Sequence, residues 1–255
     1  MRKQIEDLRE KMREKKIDAY IIPTTDFHGS EYVNDYFKCR EFVSGFTGSA
    51  GTLVVTEDAA ALWTDGRYFL QAESDLAGSE IMLMREGEPD VPEITEWLRK
   101  RLTSGKARAV GFDGRIVSAK FGEKIKEHFN VEAELDLAGE IWAERPELMA
   151  SEIYPLGLGV TGESAESKLS RVREEMRKAG AEANIITSLE EIAWLFNLRG
   201  SDVLHTPVFY AFALVERERA TIYLLNRTEK VKSLFNDDIE IKPYEAIFDE
   251  LKLLD

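Results

Sequence analysis

The chain has 255 residues, enough for two domains of ordinary size or one large one, and its 44% hydrophobic and 10% aromatic content excludes a disordered polypeptide. A formal net charge of −14 sets its surface against phosphate backbones, which argues against nucleic acid as a partner. No apolar run reaches the roughly 18 residues of a spanning helix, the basic start has no apolar stretch behind it to make a signal peptide, and the single Cys39 excludes a disulfide framework and fits a cytoplasmic setting.

Residues 3–15 predict an amphipathic helix, with Ile5, Leu8 and Met12 at the spacing of a buried stripe. A short buried strand over 18–22 follows, stopped by Pro23, and the loop 24–30 carries His28. Residues 52–56 and 59–64 read as a hairpin turned at Glu57-Asp58, and Asp65-Gly66 then leads into a helix over 67–76. Beyond it come a strand (81–85), a helix (91–102), a strand (109–112), a helix (119–129) and a strand (131–135). That alternation means α/β. Pro146, Pro155, Gly157, Gly159 and Gly162 fall in a stretch without periodicity, which predicts a linker over 146–162 between domains at 1–145 and 163–255.

The second half repeats the first. Residues 8–22 and 172–186 align at a constant offset, with seven of 15 positions identical, among them Arg9/Arg173, Met12/Met176 and Ile21/Ile185. The hairpin returns at 214–215 and 220–224. Two echoes at a fixed offset predict two copies of one α/β unit rather than a solenoid. The run from Glu190 opens as a short amphipathic helix with Ile192, Leu195 and Phe196 on one face, and Ser188 and Glu191 have the spacing of a capping box. Asn197 and Gly200 end it, a polar loop carries Asp202 and His205, and Pro207 opens an apolar strand. The last elements read as helices over 229–236 and 244–254 around a strand at 239–242.

Candidates for chemistry are few. The three histidines, His28, His128 and His205, include no HExxH pair. His128 sits on a helical face suited to solvent; His28, near Asp26 and Glu31, reads as part of a capping loop, so no metal site is expected within the chain. The glycine-rich Phe46 to Gly51 lacks the Lys-Ser/Thr of a phosphate loop and reads as a tight turn. Arg67 follows a turn at a strand end, where its guanidinium can fork onto a carboxylate or a peptide carbonyl; a local ion pair with Asp65 is the competing reading. His205, in a loop, can hold or release a proton near neutrality or be merely solvated. Asp202 reads as a loop-shaping residue, and Trp194, Phe196, Phe209, Tyr210 and Phe212 as core.

Two stretches carry a resemblance. EEIAWLFNLRGSDVLHTPVFYAF (190–212) is similar to the middle domain, and FVSGFTGSAGTLVVTEDAAALWTDGRYFLQ (42–71) to the N-terminal domain, of the long, three-domain Xaa-Pro aminopeptidases of the creatinase/prolidase superfamily. The resemblance implies two tandem, related creatinase N-terminal-like domains, each a mixed β-sheet flanked by helices. It implies a peptidase releasing the residue before proline, with two divalent ions, manganese expected, held by a C-terminal catalytic domain expected shortly after Asp255. It implies further that Arg67 and His205 bind proline-containing peptides, that the enzyme is a homodimer, and that this chain alone is inactive. Leu204 departs from the acidic residue of some relatives. The alternative is a stand-alone protein that binds peptides or a partner without catalysis.

Overall fold

Ile5, Leu8 and Met12 are buried along α1 (Lys3–Lys15), the first element of a computed structural model that describes residues 2–103, 108–226, 229–235 and 238–253. The chain divides into two units, one made of residues up to Asp26 with Asp35–Glu147, the other of Phe27–Asn34 with the residues from Leu148 on.

In the first unit α1 is followed by β1 (Ala19–Pro23), α2 (Cys39–Ser44), β2 (Thr52–Thr56), β3 (Ala60–Thr64), α3 (Phe69–Asp75), β4 (Ile81–Arg85), α4 (Ile94–Arg101), β5 (Ala109–Gly111), α5 (Ala119–Lys126), β6 (Asn130–Glu132) and α6 (Leu137–Glu140). The six strands form one mixed sheet in the order β4-β3-β2-β1-β5-β6, antiparallel between β1, β2 and β3 and parallel elsewhere. Strand side chains alternate between faces. Tyr20, Ile22, Leu53, Val55 and Leu62 therefore pack with Leu8 and Met12 on one face, and Ile21, Val54 and Trp63 pack with Trp97, Ile125 and Phe129 on the other. The Tyr20 hydroxyl donates to the Leu135 carbonyl (2.6 Å) and accepts from the Leu137 N–H (3.0 Å). Cys39 is buried in the first of these cores, and burial pushes its thiol up to about 12.

The second unit contains β7 (Tyr154–Pro155), α7 (Leu158–Thr161), α8 (Ala165–Ala179), β8 (Ala183–Ile186), α9 (Leu189–Leu195), β9 (Leu198–Arg199), β10 (Ala211–Glu216), β11 (Ala220–Leu224), α10 (Glu229–Lys232), β12 (Ile239–Pro243) and α11 (Ala246–Glu250). Its main sheet has the order β12-β11-β10-β8, and β7 pairs with β9 in a separate ribbon. Phe27 packs edge-on to Phe248 (5.7 Å) and His28 lies 4.3 Å from the Phe212 ring.

The repeat holds to the level of register. Ile21 faces Val54 in β1–β2 as Ile185 faces Leu214 in β8–β10, and Ala60 faces Ile81 as Ala220 faces Ile239. The helices preceding these strands end alike: Lys16 (φ 60°) and Gly180 (φ 70°) take the left-handed position after α1 and α8. Arg9 Nε donates to the Thr56 carbonyl at 2.9 Å, and Arg173 Nε donates to the Glu216 carbonyl at 3.0 Å. The two copies share one α/β plan, each a mixed sheet with helices, as expected.

Several expected boundaries shift. The helix expected over 67–76 begins only at Phe69, because the Asp65 carboxylate and carbonyl hold the Arg67 and Tyr68 N–H groups in a turn. The strand expected from Pro207 pairs only from Ala211. Helix α10 stops at Lys232 and α11 at Glu250; residues 236 and 254 of the expected helices lie outside the described residues. Phe196, Phe209, Tyr210 and Phe212 are buried as expected, whereas Trp194 is half-exposed, its ring lying 4.3 Å from the Lys168 ammonium.

Candidate functional site

Asp65 and Arg67 form the turn that leaves β3 in the first unit. Arg67 Nε donates to Asp65 Oδ1 and Nη2 to Oδ2, both at 2.8 Å, while the Arg67 backbone N–H donates to Oδ1 at 3.0 Å. The fork holds the Asp65 carboxyl down at about 2, chiefly through the side-chain hydrogen bonds from Arg67. The local pairing weighed from sequence is therefore present. The same Asp-Gly-Arg turn recurs at 113–115, where Arg115 Nε and Nη2 reach Asp113 at 2.9 and 2.8 Å. A fork of this kind is a local product of the tripeptide and says nothing of function. What separates the two arginines is access: the Arg67 side chain is 70% exposed, the Arg115 side chain 36%, and Arg115 also approaches Asp136. A guanidinium has five donors. Two serve Asp65, and the outward edge of Arg67 remains presented to solvent in a fixed orientation.

His205 lies in the second unit, in a four-residue turn in which Val203 and Thr206 bridge. It is exposed and takes φ 64°, the left-handed region. Its ring meets Tyr32 edge-on at 5.5 Å. Beneath the turn Asp202 is buried; Oδ1 accepts from the Ser151 N–H (2.5 Å) and Oδ2 from the Tyr210 N–H (2.7 Å), while the Asp202 N–H donates to the Val208 carbonyl (3.0 Å). A Cβ on Gly200 would stand 2.8 Å from Phe209 Cβ, so the chain can pass there only as glycine. The loop is thus clamped at its base and lifts Leu204, His205 and Pro207 into solvent.

The other sequence candidates have structural surroundings. His28 is held between the Thr187 carbonyl and the Tyr244 hydroxyl, and His128 is exposed after α5. In the glycine-rich turn the carbonyls of Phe46 and Gly48 accept from the buried guanidinium of Arg40, and the Thr47 N–H donates to Asp75 (3.0 Å). Its carbonyls are turned inward onto a cation, which suits a tight turn. Sequence reasoning passed over Arg40, because a buried arginine differs from a surface one only by contacts remote in sequence. Among the described residues no three His, Cys, Asp or Glu side chains gather as a metal-binding group. Among the same residues no helix is long and apolar enough to cross a membrane.

Two models of the creatinase/prolidase N-terminal domain match the chain, one over residues 4–146 and the other over 144–255. The chain belongs to the creatinase/prolidase N-terminal domain family. Among its relatives, aminopeptidase P2 of Arabidopsis thaliana is 46% identical over 91% of this chain and 34% of its own length. The probable Xaa-Pro aminopeptidase P of Sordaria macrospora is 40% identical over 97% of this chain and 42% of its own. Among solved structures, the X-prolyl aminopeptidase of Caenorhabditis elegans, a cytosolic enzyme with a di-nuclear active site, superposes with a TM-score of 0.90 at 29% identity, over 98% of this chain and 43% of that one. This creatinase/prolidase-type chain thus spans between a third and just over two fifths of the length of these relatives.

Proposed function

We propose that these two domains are the non-catalytic N-terminal part of a metal-dependent Xaa-Pro aminopeptidase, whose catalytic domain lies in the same polypeptide. The observation that carries this reading is that nearly the whole chain aligns with aminopeptidases P while filling well under half of their length. The di-nuclear centre, with manganese as the expected metal, would be held by the remainder of the polypeptide. Two divalent ions at such a centre polarise a peptide carbonyl and supply hydroxide at neutral pH. The residues of this chain would bind and orient the peptide. Arg67, oriented by Asp65, would fork onto a substrate carboxylate or carbonyl; His205, raised on its turn, would donate or accept a hydrogen bond beside the scissile residue. Restriction of substrate size, contribution to a homodimer and a cytosolic location, like that of the nematode enzyme, belong to the same proposal.

The test is hydrolysis of an Xaa-Pro-Xaa tripeptide by the full-length protein, stripped of metal and resupplied with Mn²⁺. Arg67→Ala and His205→Ala are each expected to lower kcat/KM by about 10- to 100-fold, the worth of one charge-assisted hydrogen bond, without moving the urea midpoint. The 255-residue chain alone is expected to release nothing. Turnover by that chain would overturn the reading. A full-length protein that binds such peptides without cleaving them would favour the binding-protein alternative.

A further inference from the structure

Two features of the first unit, the glycine-rich turn over 46–51 and Arg67, meet on one side chain. The turn backbone lifts Arg67 into solvent, and its guanidinium carbon then stands 5.2 Å from the centre of the Tyr68 ring, within reach of a cation–π contact. The Tyr68 hydroxyl shares a hydrogen bond of 2.5 Å with the Ser49 hydroxyl, and the Tyr68 N–H donates to the Asp65 carbonyl at 3.0 Å. Phe46, fully buried, meets the same ring edge-on at 6.1 Å. A Cβ on Gly48 would stand 2.8 Å from Tyr68 Cδ1, so the turn passes directly against the tyrosine.

The turn is itself fastened to three elements. From α2 the buried Arg40 donates to the Phe46 and Gly48 carbonyls, and its Nε donates to Thr24 Oγ1 at 2.9 Å. These acceptors are neutral, and burial pushes the guanidinium down to about 10. Holding a cation there costs stability; what it secures is the course of the turn. From β3, Thr64 Oγ1 donates to the Ala50 carbonyl at 2.7 Å. From α3, Asp75 Oδ2 accepts from the Thr47 N–H and hydroxyl at 3.0 and 3.1 Å, and Gln71 Nε2 donates to Thr47 Oγ1 at 2.7 Å.

The Asp65 fork cannot by itself fix Arg67 in space. It sets the guanidinium relative to the carboxylate, yet both side chains are open to solvent and can swing together. Tyr68 is the side chain that ties the pair to the fastened turn. We propose that Tyr68 is a positioning residue for Arg67: tethered through Ser49 to the glycine-rich turn, its ring holds the guanidinium in the orientation in which it meets a peptide. This rests on the reading of Arg67 as a peptide-binding residue. An arginine ordered before the peptide arrives loses less side-chain freedom on binding. The benefit therefore falls on KM rather than on kcat.

The experiment measures hydrolysis of an Xaa-Pro-Xaa tripeptide by the full-length protein with Mn²⁺. Tyr68→Phe keeps the ring and removes the tether. It is expected to raise KM about 3- to 10-fold with kcat and the urea midpoint held; Ser49→Ala should do the same, and the two together no more than either. Added to Arg67→Ala, the tyrosine substitution should cost nothing further. An equal loss with and without the Arg67 guanidinium would make Tyr68 merely structural and overturn the proposal. So would an unchanged KM in Tyr68→Phe beside a damaged Arg67→Ala, which leaves the reading of Arg67 intact. Arg67→Ala without effect would overturn that reading, and the proposal with it. A second measurement needs no turnover. In full-length protein labelled with ¹⁵N-arginine, the Arg67 Nε–H signal, assigned by its loss in Arg67→Ala, should exchange with solvent at least about fivefold faster in Tyr68→Phe. Unchanged exchange would overturn the proposal. Faster exchange in a protein that cleaves no Xaa-Pro peptide would leave the positioning standing without the peptidase.

Discussion

Arg67 and His205 are both presented by backbone rather than by packing, and each has a consequence that can be measured on the side chain itself. The Asp65 carboxyl sits at about 2 because Arg67 forks onto it, below the ordinary aspartate value of about 3.9. A carboxyl lowered on folding contributes stability above its ordinary value and loses that contribution as pH falls toward 2. The pair is exposed, so its contribution is small and sensitive to salt. Titration followed by carboxyl ¹³C NMR should place Asp65 near 2 in the native protein and return it toward the ordinary range in Arg67→Ala; an unchanged value would assign the depression to the turn backbone instead. His205 holds φ 64°, which costs a residue with a Cβ about 1–2 kcal/mol. Glycine removes that strain and gives back roughly 0.5–1 kcal/mol through its freer unfolded state. His205→Gly is accordingly expected to raise Tm by a few degrees while lowering peptide turnover. A lower Tm would mean that the ring contact with Tyr32 stabilises the turn by more than the strain.

At the scale of elements, what was legible was what sequence neighbours decide. Helices α1 and α8 were readable because their apolar stripes recur at helical spacing, and the α9 cap because Ser188 Oγ accepts from the Glu191 N–H. The late start of α3 was not foreseen, since an aspartate two residues before an arginine competes locally with helix formation. Nor was the β7–β9 ribbon, whose partners are distant in sequence, nor the place of residues 27–34 in the second unit. The loop from β9 to β10 depends on one carboxylate. Asp202→Ala leaves the Ser151 and Tyr210 N–H groups without their acceptor, and at roughly 1–3 kcal/mol for each buried donor the loss should be about 2–4 kcal/mol. A urea midpoint that falls with an unchanged slope is the expected signature; an unmoved midpoint would show that the loop is held from elsewhere.

Over the whole molecule, the repeat was visible because several of its identities fall on positions with a structural duty. Arg9 and Arg173 make the same carbonyl bond, Met12 and Met176 sit in equivalent buried stripes, and Ile22 and Ile186 are buried at equivalent register. Ile21 and Ile185 do not share one, being identical in sequence and opposite in exposure. Sequence reports the residue; only the neighbouring strands report what covers it. The candidate positions Arg67 and His205 rest on resemblance, and no local signal separates Arg67 from Arg115, which share a tripeptide and a fork.

Cys39 adds a property of a different kind. It is the only cysteine of the chain, buried in the core of the first unit, with its thiol held protonated at neutral pH. Alkylating and disulfide reagents attack the thiolate, so the native thiol is both shielded and in its unreactive form. Its labelling rate therefore keeps time for transient openings of the first unit and is silent for the second, so one copy of the fold can be followed by itself without an added probe.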